Sequence, residues 1–301
     1  MRVRRSTQTF IRGRALRAHH GDGLAVAASG ASASWQRCTG SVAQRRGSPG
    51  RNLLRTREEG DCQTWESPER KEATRLALLE ETRLRGALRG WDIESFVLNA
   101  ARYGVAQTRK RAFVIGRPAG MRPLGPPPET LGLVLSEVLA GVGPTVTASR
   151  LPESHTEVMG HRVPGAFKTA ELHVTPVASP VSMARYAAIK PGGGRRDLPK
   201  HLKLPAWRGS YTGASDVLGR LRWDQPSVTV RTEFFRPEKG RFLHPDEDRP
   251  LSHYEAALIQ GFPESYLWCG SRAAIARQIG NAVPVPLAKA VAAHLLRHLA
   301  C

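Results

Sequence analysis

The pattern of apolar and polar residues predicts an alternation of helices and strands in the middle of the chain. Leucines spaced among charged residues, with no proline between them, predict an amphipathic helix over 69–89. Residues 91–98 alternate loosely between apolar and polar, and the apolar run 112–115 is closed by Gly116, so each segment predicts a strand. A helix followed by two strands is typical of the late part of an α/β sheet whose faces are covered by helices.

The same pattern predicts further helices toward the C-terminal end. A short helix is expected within 131–139. Ser252 is followed three residues later by Glu255, a capping box that begins a helix, and Gly261 ends it. A turn is expected at 280–281, and the final helix follows from an apolar stripe at four-residue spacing. The stripe consists of Leu287, Val291 and Leu295.

Three long polar side chains lead into the second predicted strand. Gln107, Arg109 and Arg111 are two residues apart, so an extended backbone places them on one face. Multiple donors on one face suit a ligand rich in acceptors, such as a phosphate or the edge of a base. A solvated basic edge strand would have the same spacing, and the spacing alone leaves both interpretations open.

Charge favours a polyanionic partner. The formal net charge is +19, and residues 1–57 contain twelve arginines, no lysine and one acid, Asp22. A basic protein of this kind is expected to bind nucleic acid first. Arginine without lysine, beside abundant alanine and glycine, is also what a biased coding composition would produce, so charge supports DNA binding without proving it.

The cysteines and the apolar runs exclude several classes of protein. Cys38, Cys62, Cys269 and Cys301 have neither metal-ligand nor disulfide-framework spacing, which favours a reducing compartment and predicts no metal site. No apolar run is long enough to span a bilayer. We therefore expect no membrane partner.

Three stretches resemble motifs of the DNA cytosine-5 methyltransferase family. Residues 99–111 are similar to its Gln-x-Arg-x-Arg motif together with the Asn-Ala-x-x-Tyr-Gly-Val sequence that precedes it. Residues 249–263 resemble its Arg-x-Leu-Ser/Thr-x-x-Glu…Gln-Gly-Phe-Pro motif, and 278–284 resemble its Gln-Ile-Gly-Asn-Ala-Val-Pro signature. The resemblance covers about 91–300 well, 38–90 poorly and 1–37 not at all.

The resemblance implies roles for several of these residues. Arg111 would contact a cytosine flipped out of the DNA helix, with Arg109 holding the base beside it and Gln107 supporting both at the DNA. Asn281, in a turn with Gly280, would contact the cofactor S-adenosylmethionine.

The resemblance also implies roles outside those motifs. The segment between them corresponds in position to the target-recognition region, so the basic loop that contains Arg195 and Arg196 is expected to contact double-stranded DNA. Arg249 and Glu255 would be structural.

Two candidate catalytic residues lie in degraded copies of family motifs. Cys38 resembles the nucleophile that attacks carbon 6 of cytosine, but Arg37 replaces the preceding proline of the motif and a phenylalanine is missing after Gly40. Glu66 lies where the resemblance places the glutamate that activates the base, without the asparagine and valine that follow it in the family. An inert loop thiol and a solvated carboxylate are the alternatives.

The resemblance leads us to expect an S-adenosylmethionine-dependent methyltransferase fold, an α/β Rossmann-like sheet that is incomplete, with a small inserted target-recognition domain. A glycine-rich turn for the cofactor is not found before Cys38, so the cofactor-binding front is expected to be missing or degraded. The expected regions are a disordered or unrelated leader (1–37), a partial catalytic domain (38–120), a target-recognition region (121–265) and a returning C-terminal helix (266–301).

The function implied is transfer of a methyl group from S-adenosylmethionine to carbon 5 of cytosine in DNA, in a cytoplasmic, nucleoid-associated enzyme of restriction-modification type. Two alternatives stay open: an inactive remnant of the family and a basic DNA-binding module without chemistry. A separate chain that supplies the missing front half is a further open possibility.

Overall fold

The structure is a computed structural model, and it describes residues 25–30, 90–208 and 216–299. The helix predicted over 69–89 lies outside these ranges. So do the leader apart from residues 25–30, which form a strand, and the candidate residues Cys38 and Glu66.

The described residues belong to two compact units. The smaller contains 90–93 and Ile115–Met121. The larger contains Glu94–Val114 and the described residues from Arg122 onward. The site residues that the structure describes all belong to the larger unit.

Strands form two small sheets, and helices concentrate toward the C-terminal end. The strands are β1 (Ala25–Gly30), β2 (Trp91–Asn99), β3 (Lys110–Pro118), β4 (His155–Val158), β5 (His161–Lys168) and β6 (Leu267–Cys269). The α-helices are α1 (Leu135–Leu139), α2 (Pro180–Ala187), α3 (His253–Ile259), α4 (Arg272–Asn281) and α5 (Val285–Leu299). Short 3-10 turns lie at Ala100–Arg102, Thr169–Leu172, Arg195–Asp197, Lys200–Leu202, Pro205–Trp207 and Pro237–Lys239.

The first sheet has the order β1-β3-β2 and contains both strands predicted ahead of Gly116. At the loop between them, the Ala100 amide donates to the Arg109 carbonyl at 2.8 Å. The side chain of Asn99 caps the turn that follows β2 by accepting from the Ala101 amide at 3.3 Å. The predicted pair of strands is therefore confirmed, and β3 begins at Lys110, so that Arg111, the last arginine of the Gln-x-Arg-x-Arg motif, lies on the strand.

The second sheet has the order β4-β5-β6 and is antiparallel throughout. Its core side is marked by Phe167 and Trp268, which are both fully buried. The indole nitrogen of Trp268 donates to the Thr169 hydroxyl at 2.9 Å, which satisfies its one donor inside the core. Most of this sheet falls within the region predicted to recognise the target.

Helix α3 begins where the sequence predicts. The Ser252 hydroxyl accepts from the Glu255 amide at 3.1 Å, and a Glu255 carboxylate oxygen accepts from the Ser252 amide at 2.7 Å. The helix ends at Ile259, just before Gly261. In α5, Leu287 and Val291 are buried, as the four-residue spacing predicts. The short helix expected within 131–139 is confirmed for its second half, α1.

The turn predicted at Gly280 and Asn281 is wrong, because both residues are the last two of α4. Ser271 caps the start of this helix by accepting from the Ala274 amide at 3.3 Å. Gly280 is required for close approach: a Cβ atom there would lie 2.4 Å from the backbone nitrogen of Thr232. The glycine that suggested a turn instead allows two segments of backbone to touch.

Among the described residues, no single helix has the length and apolarity needed to cross a membrane. Helices α4 and α5 meet both criteria only when they are taken together, across a bend of 41°.

Candidate functional site

The residues that precede β3 contact a later segment of the chain that runs beside them. The Thr108 amide donates to the Ser227 carbonyl at 2.8 Å, and the Ser227 amide donates to the Ala106 carbonyl at the same distance. Ser227, Gln107 and Arg109 are all buried. The Gln-x-Arg-x-Arg segment is therefore an internal part of the fold, which excludes a solvated basic edge strand.

Gln107 is satisfied entirely by groups within the protein. Its Nε2 donates to Oε1 of Gln260 at 3.0 Å, and its Oε1 accepts from the Val230 amide at 2.8 Å. The side chain has no exposed surface. The expectation that Gln107 contacts DNA is not met in this structure, because both ends of its amide are occupied and covered.

Arg109 likewise faces the interior. Its Nη1 donates to the Val230 carbonyl at 2.7 Å and its Nη2 to the Gly280 carbonyl at 2.6 Å. The last carbonyls of a helix lack partners within it and carry partial negative charge, so a guanidinium group suits this end of α4. Arg109 thus links β3 to α4, and its Nη atoms are occupied by backbone rather than available to a base.

Arg111 differs from Arg109 in its Nη contacts, because those of Arg109 reach distant segments, whereas a buried Nε without a partner is common to both. Arg111 is 6% exposed, its Nη1 donates to the neighbouring Lys110 carbonyl at 2.8 Å, and its buried Nε has no partner. Burial lowers the pKa of Arg111 to about 10, which still leaves the group charged near neutral pH. Within the described part of the chain no carboxylate forms an ion pair with it. A desolvated cation with an unused donor is equipped to bind an acceptor-rich ligand.

The C-terminal end of α4 contains the first residues of the Gln-Ile-Gly-Asn-Ala-Val-Pro signature, and these residues contact Arg109 and Gln260. The Ile279 carbonyl accepts from Nε2 of Gln260 at 2.6 Å, and the Gly280 carbonyl accepts from Arg109. The next residue, Asn281, has an exposed side chain. Asn281 is therefore held at the end of a fixed helix while its own amide stays accessible.

The two arginines predicted to bind DNA in the target-recognition region are placed differently from each other. Arg195 is buried and Arg196 is exposed, both on the 3-10 turn that ends at Asp197. The glycines before them, expected to form a flexible loop, are held by hydrogen bonds: the Gly194 amide donates to Asp197 at 2.7 Å. Nη1 of Arg241 donates to the carbonyls of the two preceding glycines. Of the pair, only Arg196 presents its side chain to solvent.

Arg249 and Glu255 form a buried ion pair, as their predicted structural role requires. The guanidinium group donates to both carboxylate oxygens, at 2.9 and 2.7 Å. Burial alone would raise the pKa of Glu255, but the hydrogen bonds from Arg249 hold it below its ordinary value. His244 lies 3.7 Å from the same carboxylate, and burial lowers its pKa to about 4. The group stabilises the start of α3 and offers nothing to a substrate.

Two residues that bond to Gln107 and Arg109 were not predicted from the sequence. They are Gln260 and Val230. Gln260 belongs to the Gln-Gly-Phe-Pro string, where a polar residue inside an otherwise apolar helix end could have drawn attention. Val230 acts only through its backbone amide and carbonyl, and the pattern of residue types cannot predict such a role.

Known proteins similar to this chain include members of the family whose motifs its sequence resembles. A family model described as C-5 cytosine-specific DNA methylase matches residues 195–297, which include Gln260, Gly280 and Asn281. The Type II methylase M.HgiDII of Herpetosiphon aurantiacus is 29% identical over 219 residues, 70% of this chain and 57% of that protein. The Type II methyltransferase M1.HphI of Haemophilus parahaemolyticus is 30% identical over 210 residues, 69% of this chain and 49% of that protein.

A solved structure shows the fold. A protein encoded within an Escherichia coli prophage and described as a DNA modification methyltransferase superposes with a TM-score of 0.53 at 18% identity, covering 76% of this chain and 66% of its own. The expected fold class, an α/β methyltransferase fold with an incomplete sheet, is confirmed. The chain spans about half the length of the bacterial relatives named above. Over residues 195–297 it matches the C-5 cytosine-specific DNA methylase family.

Proposed function

We propose that this protein acts as a DNA cytosine-5 methyltransferase of restriction-modification type, moving a methyl group from S-adenosylmethionine to carbon 5 of cytosine in double-stranded DNA. The observation that carries the proposal is Arg111, a buried guanidinium group that has no carboxylate partner among the described residues and whose Nη1 contacts only the adjacent Lys110 carbonyl, whereas Arg109 reaches distant segments.

Arg111 suits a flipped cytosine on chemical grounds. The Watson–Crick edge of cytosine presents a carbonyl oxygen and a ring nitrogen as acceptors, and an enzyme that modifies a base must take that base out of the stack. A desolvated guanidinium group donates more strongly than a solvated one, because water no longer competes for its hydrogens. Arg109 and Gln107 support Arg111 from behind by fixing the backbone on either side of Thr108.

The end of α4 fits the proposed cofactor. S-adenosylmethionine supplies an electrophilic methyl group when it is bound. Its amino-acid and nucleoside parts carry both donors and acceptors of hydrogen bonds. The exposed amide of Asn281 can both donate to and accept from such a ligand, and Gly280 fixes its position by close packing.

The remaining assignments are part of the same proposal. Cys38 would supply the nucleophile and Glu66 would activate the base, while Arg196, the exposed member of its pair, would contact the DNA backbone. A cytoplasmic, nucleoid-associated location follows from the substrate.

A binding module or an inactive remnant is the second candidate, favoured by one observation. Arg37 stands where the family motif has a proline before the nucleophile. A loop altered at this point would leave the protein able to hold the base but unable to transfer the methyl group, unless a separate chain supplies the nucleophile.

Trapping on DNA that contains 5-fluorocytosine distinguishes the candidates, because fluorine at carbon 5 blocks the elimination that would release the enzyme. The full chain is incubated with such DNA and S-adenosylmethionine, and the products are separated under denaturing conditions. We expect a covalent adduct that Cys38→Ala abolishes and Cys301→Ala preserves. An adduct unchanged by Cys38→Ala would remove Cys38 from the assignment, and DNA binding without any adduct would favour the second candidate.

A further inference from the structure

Gln260 uses both ends of a fully buried amide to connect separate parts of the site. It follows α3 directly, its Oε1 accepts from Gln107 at 3.0 Å, and its Nε2 donates to the Ile279 carbonyl at 2.6 Å. Its backbone carbonyl accepts from the Val285 amide at the start of α5 at 2.9 Å. A residue of this kind is costly to alter, because each group that it bonds to would be left buried and unpaired.

These contacts close into a ring of five hydrogen bonds. Gln107 bonds to Gln260, Gln260 to Ile279, Arg109 to Gly280 and to Val230, and Val230 back to Gln107. We call this set the polar ring: the side chains of Gln107, Arg109 and Gln260 with the backbone of Val230, Ile279 and Gly280. All six residues are buried.

The polar ring fixes the two segments from which the proposed ligand contacts extend. Arg111 follows Arg109 by two residues, and Asn281 follows Gly280 by one. A shift of α4 relative to β3 would therefore move the base contact and the cofactor contact apart. Arg109 connects the two segments directly, by its bond to the Gly280 carbonyl. Gln260 connects them through Gln107, by accepting from Gln107 and donating to the Ile279 carbonyl.

We propose that Gln260 is a positioning residue that holds the base-side Arg111 and the cofactor-side Asn281 in register through the polar ring. The proposal rests on the proposed function, which gives those two residues their ligands. Gln260 itself touches neither ligand in this account. It sets the distance between the groups that do.

Two substitutions separate positioning from simple packing. Gln260→Leu keeps most of the volume and leaves Nε2 of Gln107 and the Ile279 carbonyl without partners. Gln260→Glu keeps the shape, but its carboxyl group can donate to the Ile279 carbonyl only when it is protonated. Burial raises the pKa of a carboxyl group, so we expect the ring to be intact in Gln260→Glu at low pH and broken at high pH, whereas Gln260→Leu lacks it at both. Gln225→Leu, at an exposed glutamine outside the polar ring, is the matched control.

The first measurement needs no ligand. In the ¹⁵N-labelled full chain, the Nε–Hε signal of Arg111 and the side-chain amide signals of Asn281 report their surroundings, with Arg111→Lys and Asn281→Ser providing the assignments. We expect Gln260→Leu to shift both sets of signals and Gln225→Leu to leave them in place. We expect Gln260→Glu to match wild type at pH 5.5 and to depart from it at pH 8.

A folded Gln260→Leu protein with unchanged signals would overturn the proposal. If that variant does not fold, a Gln260→Glu protein whose signals keep the same offset from wild type at both pH values would overturn it instead.

The second measurement separates this proposal from the proposed function. S-adenosylhomocysteine is titrated into the full chain with and without cytosine-containing duplex DNA, and the ratio of the two affinities measures coupling between the two sides of the site. We expect Gln260→Leu to reduce that ratio about tenfold relative to Gln225→Leu, a change of about 1.4 kcal/mol in coupling. Wild-type protein that binds neither ligand would contradict the proposed function. Equal coupling in both variants would contradict only the role of Gln260.

Discussion

At the scale of the residue, His253 shows how a polar side chain can be built into the core. It is fully buried, its Nε2 lies 3.0 Å from the Arg272 carbonyl, and its ring stacks on Phe235. Burial lowers the pKa of His253 to about 4, with the charge of Arg272 acting in the same direction. The folded protein therefore holds this imidazole neutral at a pH where an unfolded chain would protonate it.

This arrangement predicts a loss of stability in mild acid. The folded pKa is below the unfolded value of 6.5, so the stabilisation is complete above that value and is lost as the pH falls toward 4. We expect roughly 2–3 kcal/mol of the free energy of unfolding to be lost over that window through this residue.

Urea unfolding at pH 7 and at pH 4.5 tests the expectation. His253→Gln should flatten the pH dependence, whereas His161→Gln, at an exposed residue, should not. If the free energy of unfolding depended on pH equally in wild type and His253→Gln, His253 would not be the source of the acid sensitivity.

At the scale of the element, Gly280 determines how closely α4 approaches the segment around Thr232. A Cβ atom there would lie 2.6 Å from the Arg231 carbonyl carbon as well as 2.4 Å from the Thr232 nitrogen, and backbone on that side cannot move cheaply. Alanine within a helix normally stabilises by about 1 kcal/mol relative to glycine. Here we expect Gly280→Ala to destabilise by about 1–3 kcal/mol because overpacking outweighs helix propensity.

Chemical denaturation measures the effect, with Gly141→Ala as the control because no atom lies within 4 Å of its Cβ position. A Gly280→Ala protein as stable as that control would show that α4 can move away from Thr232 without cost.

The elements that could be predicted are those whose cause is local. The capping box of Ser252 and Glu255 and the apolar strand before Gly116 depend on residues close in sequence, and both are confirmed. Gln107 was misjudged because its partners, Gln260 and Val230, are 153 and 123 residues away. Spacing showed that the side chain projects from an extended segment, but it could not show that protein, rather than DNA, covers it.

The resemblance to a family identified the segments that contact one another in the structure, but it did not distinguish the roles of the residues within each segment. It grouped Arg109 with Arg111 as base-holding residues. The structure separates the two because the carbonyls of Val230 and Gly280 reach only the first. That division depends on tertiary contacts, which single-sequence patterns do not contain.

At the scale of the whole molecule, the net charge of +19 predicts DNA binding that weakens steeply with salt. Removing one side chain that binds a phosphate should reduce the slope of log affinity against log salt by about 1. We expect Arg196→Gln to reduce the slope by that amount, and Arg122→Gln, at another exposed arginine, to leave it unchanged. Fluorescence anisotropy with duplex DNA at low and at high salt provides the slopes. Identical slopes for both variants would remove Arg196 from the proposed interface.

Two arginines of the same motif have different roles in this proposal. Arg109 stabilises the fold, and Arg111 binds the ligand. Lysine cannot reproduce the fork by which Arg109 reaches two carbonyls, so Arg109→Lys should lose about 2 kcal/mol of the free energy of unfolding. Arg111→Lys should stay within about 1 kcal/mol of wild type, because its one hydrogen bond is to the adjacent residue.

The most direct test measures both quantities on both variants: the free energy of unfolding in urea, and the yield of covalent adduct on DNA containing 5-fluorocytosine. The account predicts that Arg111→Lys keeps its stability and loses at least tenfold in adduct yield, while Arg109→Lys loses stability first. An Arg111→Lys protein that traps DNA as well as wild type, or an Arg109→Lys protein of unchanged stability, would contradict it.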